Sequence, residues 1–577
     1  MLEPRNYTTI ESASAPAFSV DGRTLFHLRG SGTAQVWALD LERGASWQLT
    51  DHDERVSLLR RAPGDDRLVY AIDAGGDERH QIWVWEDGVS RALTEDLGVI
   101  HGFGAWSLDG GRISFTANDR DAGHFDLMTM EVAGGARVRL MEGVHEAVAG
   151  GWSKDGSRVL VTQDWSTGDQ RPFVVGADGS AVAVPRRGAM RFASLRWDGA
   201  GLLGLVEVDG FVALCRVDPA SGVVEPAYVA AGRDVEAWSL SNGGVLATVE
   251  NDRGYSVLRV GPRDGAGAVV VLPEGVVSDL AWSSDGRLAF ALTGPMRPSG
   301  LWVWQDGMAR AVWEPAVGVA MRDFGLVEWA SFDGMVVPGW YAVPDGVPPA
   351  SGWPAVVWVH GGPAAQARAN FRADMQWLLA HGVAVLMPNV RGSTGYGRAV
   401  MDADDVERRL DSVHDLAAGH AWLVAQPGID PERIAVMGQS YGGYMVLAAV
   451  TEHPALWRCA VDFYGIADFG TLLEATGPWR RGHRAAEYGD PVRHRALFDR
   501  ISPIRHADRI GVPMLVLHGT RDPRVAFSES EQVVGALRAR GRTVAFEVFD
   551  YAGHGFVRAA DKVRVYAAVA GFLARHL

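Results

Sequence analysis

Ser440 sits in the run Gly438-Gln439-Ser440-Tyr441-Gly442-Gly443, between the apolar stretches 434–437 and 444–450. A strand entering and a helix leaving such a run would form a sharp turn that exposes the hydroxyl. The helix N-terminus behind it would favour negative charge developing nearby. A glycine-x-serine-x-glycine pattern alone serves close packing as readily as chemistry; the flanking elements select a nucleophile.

A serine hydroxyl needs a base, and on this kind of turn the order along the chain is nucleophile, acid, histidine. Beyond residue 510 the histidines are His518, His554 and His576. His576 is penultimate, where fraying would position it poorly, and His518 ends the strand-like MLVLHG as a packed structural residue. His554, in the glycine-flanked loop of FDYAGHGF, is the expected base. The orienting carboxylate should follow a core strand between Ser440 and His554. That favours Asp522 in LVLHGTRDPRV over Asp462, Asp468, Asp490, Asp499 and Asp508, while Asp550 lies too close to His554 in the chain. Asp522 would fix the histidine tautomer and stabilise the imidazolium.

Acyl transfer also requires donors for an oxyanion. One is the amide of the residue after the nucleophile, Tyr441; the other comes from a loop after an earlier strand. His360-Gly361-Gly362-Pro363 follows the apolar AVVWV, and the N–H of Gly362 is the expected second donor.

The elements that must position these groups fall into two different halves. In the first 300 residues an aromatic-Ser-x-Asp-Gly phrase returns: FSVDG ending at Gly22, WSLDG at Gly110, WSKDG at Gly156 and WSSDG at Gly286. Weaker copies near Asp66, Gly199 and Gly243 bring the total to seven, about 44 residues apart. Each precedes an alternating apolar stretch, as a strand after an Asp-Gly turn would. A repeat of about 40–45 residues with four short strands is a propeller blade, so residues 1–317 are expected to form a seven-bladed β-propeller. From residue 318 to 577 the pattern changes. A hairpin over 327–344 leads into apolar strands (AVVWVHGG, VAVLMPN, IAVMGQS, PMLVLHG) that alternate with helices (DLAAGHAWLVAQ, SESEQVVGALRAR). This is a doubly wound, mainly parallel sheet of the α/β-hydrolase kind.

Taken together, GQSYGGYM, HGGP, NVRGSTGYG (389–397), HGTRDPRV and AGHGF, in this order behind a propeller, resemble the prolyl oligopeptidase family of serine peptidases, and most closely its acylaminoacyl-peptidase branch. The resemblance implies an enzyme that cleaves short peptides beneath a propeller that excludes folded proteins. Prolyl oligopeptidases proper carry a tyrosine-led oxyanion motif where this chain has HGGP. Dipeptidyl aminopeptidases hold the substrate amine with adjacent glutamates, and no adjacent Glu-Glu pair occurs here. In the acylaminoacyl branch an arginine two residues after the acid holds a substrate carbonyl, a position filled by Arg524. The N-terminal extension expected to pack on the hydrolase is short or missing. In WRRGHRAAEYGDP (479–491), Arg480, Arg481 and Arg484 are further substrate-binding candidates, since arginine forks suit a carboxylate. A carboxypeptidase-like preference, an esterase on the same fold and a propeller scaffold with an inactive hydrolase are the competing readings.

Composition narrows the partners. A formal charge of −15 and a pI of about 5.6 disfavour nucleic acid. Cys215 and Cys459 stand alone, so neither a disulfide framework nor a thiolate metal site is expected. His145-Glu146 opens like a zinc motif, but position 149 is alanine, and no phosphate loop occurs; no cofactor is expected. With no basic-then-apolar leader and no apolar run of about 18 residues, a cytoplasmic protein with no membrane partner is expected. Short peptides are the expected substrates; a homo-oligomer is left open.

Overall fold

The repeated phrase closes the turn between the first and second strands of each four-stranded antiparallel sheet. At Trp106-Ser107-Leu108-Asp109-Gly110, Ser107 Oγ donates to Asp109 (2.5 Å) and accepts from the N–H of Arg112 (2.9 Å). Gly110 takes φ +68°, where a side chain would be strained. Ser19 with Asp21 (2.7 Å) and Ser153 with Asp155 (2.6 Å) repeat the contact. The aromatic member works between blades. The indole N–H of Trp106 donates to Arg60 O (3.3 Å), Trp197 to Gly151 O (3.1 Å), Trp238 to Ser194 O (3.2 Å) and Trp282 to Ser239 O (3.2 Å). Each of these four ties reaches the first strand of the preceding sheet. Phe18 and Ala62 take the same place in the first two blades without an indole, and the Trp152 N–H has no partner among the described residues.

In this computed structural model, which describes residues 3–577, seven such sheets cover 12–48, 56–92, 101–141, 146–183, 192–228, 235–269 and 276–313. Each uses four consecutive strands, so the first and last blades share none. The ring closes through side chains, with Ala13, Leu25 and Leu39 packed on Ala289, Leu301 and Val303.

The second domain is one eight-stranded sheet. Its strands are β1 (Gly325–Ala330), β2 (Val336–Ala342), β3 (Trp353–Val359), β4 (Ala384–Pro388), β5 (Ile429–Gln439), β6 (Cys459–Phe463), β7 (Met514–Gly519) and β8 (Val544–Phe549). Their order in the sheet is β1-β2-β4-β3-β5-β6-β7-β8. The first two form the hairpin read at 327–344 and add antiparallel; from β4 onward every pairing is parallel. Strand β6, CAVDF, was not singled out in the sequence: it is short and fully buried, with no alternation to mark it. The helix Tyr441–Glu452 is buried along its first eleven residues and packs on β5 at the centre of the sheet.

A short helix, Arg5–Thr8, precedes the first blade and packs on the helices Ala373–Ala380 and Ala559–His576. Tyr7, 1% exposed, lies in the same apolar core as Trp340, Trp377 and Phe572. Among the described residues, this helical turn packs on the hydrolase before the chain enters the first blade. Ion pairs also join the domains: Arg368 with Glu236 (2.6 Å), Arg398 with Glu207 (3.1 Å) and Arg558 with Glu54 (2.6 Å). Among the described residues no helix is long and apolar enough to cross a membrane.

Candidate active site

Ser440 occupies the turn between β5 and the helix Tyr441–Glu452, with φ 59° and ψ −120°. A non-glycine residue held there stores strain, and the surrounding glycines make the turn possible. A Cβ on Gly438 would stand 2.4 Å from Gly442 O, and one on Gly442 would stand 2.2 Å from Val359 O. A Cβ on Gly443 would meet Asp462 Oδ1 at 2.5 Å. The glycines therefore pack the turn against β3 and β6, and that packing presents the serine.

His554 Nε2 lies 3.0 Å from Ser440 Oγ, and His554 Nδ1 lies 2.7 Å from Asp522 Oδ2. Asp522 Oδ1 accepts from the N–H groups of Arg524 (2.8 Å) and Val525 (3.0 Å), which fixes the carboxylate. Burial opposes its ionisation, but the charges and hydrogen bonds of His554 and His518 outweigh this and hold the carboxyl well below the usual range. His518 is fully buried, bonded to Ser530 Oγ (2.7 Å) and Val525 O (3.0 Å). Its Nε2 lies 3.5 Å from Asp522 Oδ2, the same oxygen that His554 Nδ1 contacts. Tyr464 flanks the other ring, with centroids 4.8 Å apart.

The N–H groups of Gly362 and Tyr441 have no protein acceptor among the described residues, and Gly362 and Ser440 line one small recess. The Tyr441 side chain has a separate task. Its hydroxyl donates to Asp404 (2.9 Å) and accepts from Arg409 (3.1 Å), whose guanidinium pairs with Asp404 and donates to Glu487 O (2.9 Å). Arg409 and Asp404 are fully buried. This network ties the start of the helix Tyr441–Glu452 to the end of the helix Pro478–Tyr488, and no local sequence pattern marks it.

Of the arginines considered from the sequence, Arg480, Arg484 and Arg524 line the recess beside Ser440. Arg481 does not join them: it is exposed, on another face of the same helix, and its guanidinium donates to Glu474 O. Helix phase explains the split, since positions 480 and 484 are four apart and share a face. Arg524 Nε bonds Glu78 of the second blade. The propeller also reaches the histidine loop: Gly553 N–H donates to Gly75 O (2.9 Å) and His554 N–H to Gly76 O (3.3 Å). A cavity of about 860 Å³ connects this region with the propeller, lined on the hydrolase side by Gly362, Ala364, His483 and Arg484. No group of three or more metal-ligating side chains occurs among the described residues.

The comparison with known sequences decides the family: residues 369–577 match the profile described as the Prolyl oligopeptidase family. The catalytic domain belongs to the prolyl oligopeptidase family. The chain carries a serine peptidase domain of that family, within the propeller and α/β-hydrolase architecture the sequence implied. It is 29% identical over 564 residues to dipeptidyl aminopeptidase BIII of Pseudoxanthomonas mexicana, spanning 89% of this chain and 79% of that protein. To an acylamino-acid-releasing enzyme of Arabidopsis thaliana it is 32% identical over 215 residues, 35% of this chain and 27% of the relative. In fold it is similar to a puromycin-hydrolyzing peptidase of Mycobacterium tuberculosis, with TM-score 0.87 and 19% identity, covering all of this chain and 96% of that one.

Proposed function

We propose that this family member hydrolyses short peptides by acyl transfer, as an acylaminoacyl-peptidase-like exopeptidase or oligopeptidase. Ser440 attacks the scissile carbonyl while His554 Nε2 takes its proton. The Gly362 and Tyr441 amides receive the oxyanion, and His554 returns the proton to the departing amine. Water, activated by the same imidazole, then releases the acyl group. The observation that carries this reading is the unbroken hydrogen-bonded chain Ser440–His554–Asp522 at a strained turn. The propeller over the site, with its internal cavity, suits selection of peptides by size better than selection of small esters.

The test has two stages. A fluorophosphonate should label the wild type and fail to label Ser440→Ala. Mass-spectrometric mapping of cuts in a peptide library with free, acetylated and amidated ends should then show cleavage of short peptides and spare folded proteins. Turnover of esters with no peptide cleavage would overturn the reading.

A further inference from the structure

The recess beside Ser440 has three arginines and no carboxylate in its lining. It is lined by Arg480, Arg484 and Arg524, with Ile466, Leu472 and Tyr488 as its apolar part. Arg524 pairs with Glu78, and Arg484 pairs with Glu487 (2.8 Å) and donates to Gly362 O (3.3 Å). Arg480 is different: among the described residues no carboxylate lies within 4.0 Å of its guanidinium. Burial, followed by repulsion from Arg484 and Arg524, pushes it down to about 10, while Glu146 and Glu78 act on it from farther away. It remains a cation at neutral pH, half-buried and unpaired next to the nucleophile.

A guanidinium partly withdrawn from water without a carboxylate partner is costly, and an incoming carboxylate would relieve that cost with a planar two-pronged contact. A substrate amine would instead be repelled. The recess also has a side. It is bounded by Ser440 and Gly362, which contact the reacting carbonyl, whereas His554, which protonates the leaving amine, is not among its lining residues. The group that enters is therefore attached to the acyl half of the substrate. We propose that Arg480, with Arg484 beside it, binds a substrate carboxylate, and that an aspartate or glutamate side chain immediately on the acyl side of the scissile bond supplies it. This rests on the acyl-transfer reading above.

The test compares acetyl-Ala-Glu-p-nitroanilide with its Gln and Leu analogues on the full-length wild type. The Glu substrate should exceed the isosteric Gln substrate in kcat/KM by at least about tenfold, the range of one charge-assisted contact. Arg480→Gln should collapse that ratio to near one and Arg480→Lys should keep part of it, with fluorophosphonate labelling reporting that each variant retains an assembled site. A Glu-to-Gln ratio near one in the wild type would overturn the proposal. So would a preference for free over amidated peptide C-termini with no Glu preference, because the carboxylate would then come from the leaving half. Thiobenzyl esters of the same dipeptides carry the same comparison if the anilides are not cut. The peptidase reading can thus fail while the subsite stands, or the reverse.

Discussion

The backbone N–H of His554 donates to the carbonyl of Gly76, 3.3 Å away and in the other domain. Beside it, a Cβ on Gly553 would come within 2.0 Å of that same carbonyl oxygen. The loop that aims the imidazole is therefore seated on the second propeller blade. Gly553→Ala should push the loop off the blade and lower kcat/KM by about 10- to 100-fold, as small misplacements of catalytic groups do. The melting temperature should change little, because the loop is a small part of the interface. Turnover together with the rate of fluorophosphonate labelling reads this out. Equal rates in variant and wild type would mean that the blade contact does not aim the histidine.

Asp522 accepts from His554 Nδ1 and so dictates that Nε2 faces Ser440. In Asp522→Asn the amide can offer a donor instead, which favours the opposite tautomer. The expected loss in kcat is about 10⁴-fold, with KM little changed. Steady-state kinetics on a short acyl-peptide checks it. A loss confined to KM would assign Asp522 to substrate binding.

The buried Arg409–Asp404 pair supports both the nucleophile helix and the arginine-bearing helix 478–488. Removing one partner strands the other charge in the core, so Arg409→Met should cost about 3–5 kcal/mol. The double variant Arg409→Met/Asp404→Leu should recover part of that loss, since it leaves no unpaired ion. Denaturant unfolding of the three proteins separates the two effects.

Asp462 lies beneath the Ser440 turn, paired in register with Gly438 across β5 and β6. Burial pushes its carboxyl up to about 8, against which the Gly465 N–H (2.9 Å) is a weak offset, and its Oδ2 finds no partner. Between about pH 4 and pH 8 the unfolded chain has released this proton and the folded chain has not. Stability therefore falls with rising pH across that window, at a limiting slope of about 1.4 kcal/mol per pH unit. Asp462→Asn removes the titration. Its melting temperature should gain on the wild type steadily from pH 5 to pH 8 and no further above that; a constant difference at every pH would show that Asp462 is ionised in the fold.

The residues that the structure assembles were legible where each stands at the end of an apolar strand with a glycine turn to mark it. Ser440, Asp522, His554 and Gly362 all meet that description, and chain order assigned their places. The sequence alone could rank Asp522 over Asp462 only by position after a strand. The sheet register supplies the reason, since it puts Asp462 under the turn, where its hydrogen bond is to the Gly465 N–H. Likewise, sequence offered Arg480, Arg481 and Arg484 as one cluster, and helix phase divided them.

What the chain determined unaided was periodic or local. Seven repeated turns gave a propeller because each blade joins its first two strands through the same kind of tight turn, with an indole tie to the preceding blade in four of them. The alternation of apolar strands and helices gave a doubly wound sheet. What only the tertiary structure decided were contacts between distant parts of the chain. Gly75 and Gly76 hold the histidine loop, Glu78 meets Arg524 across 446 residues, and Arg409 joins Asp404 to the nucleophile helix. Such contacts leave no periodic trace, because their partners are brought together by the docking of two domains and the stacking of helices on a sheet, and neither is encoded by spacing within one segment.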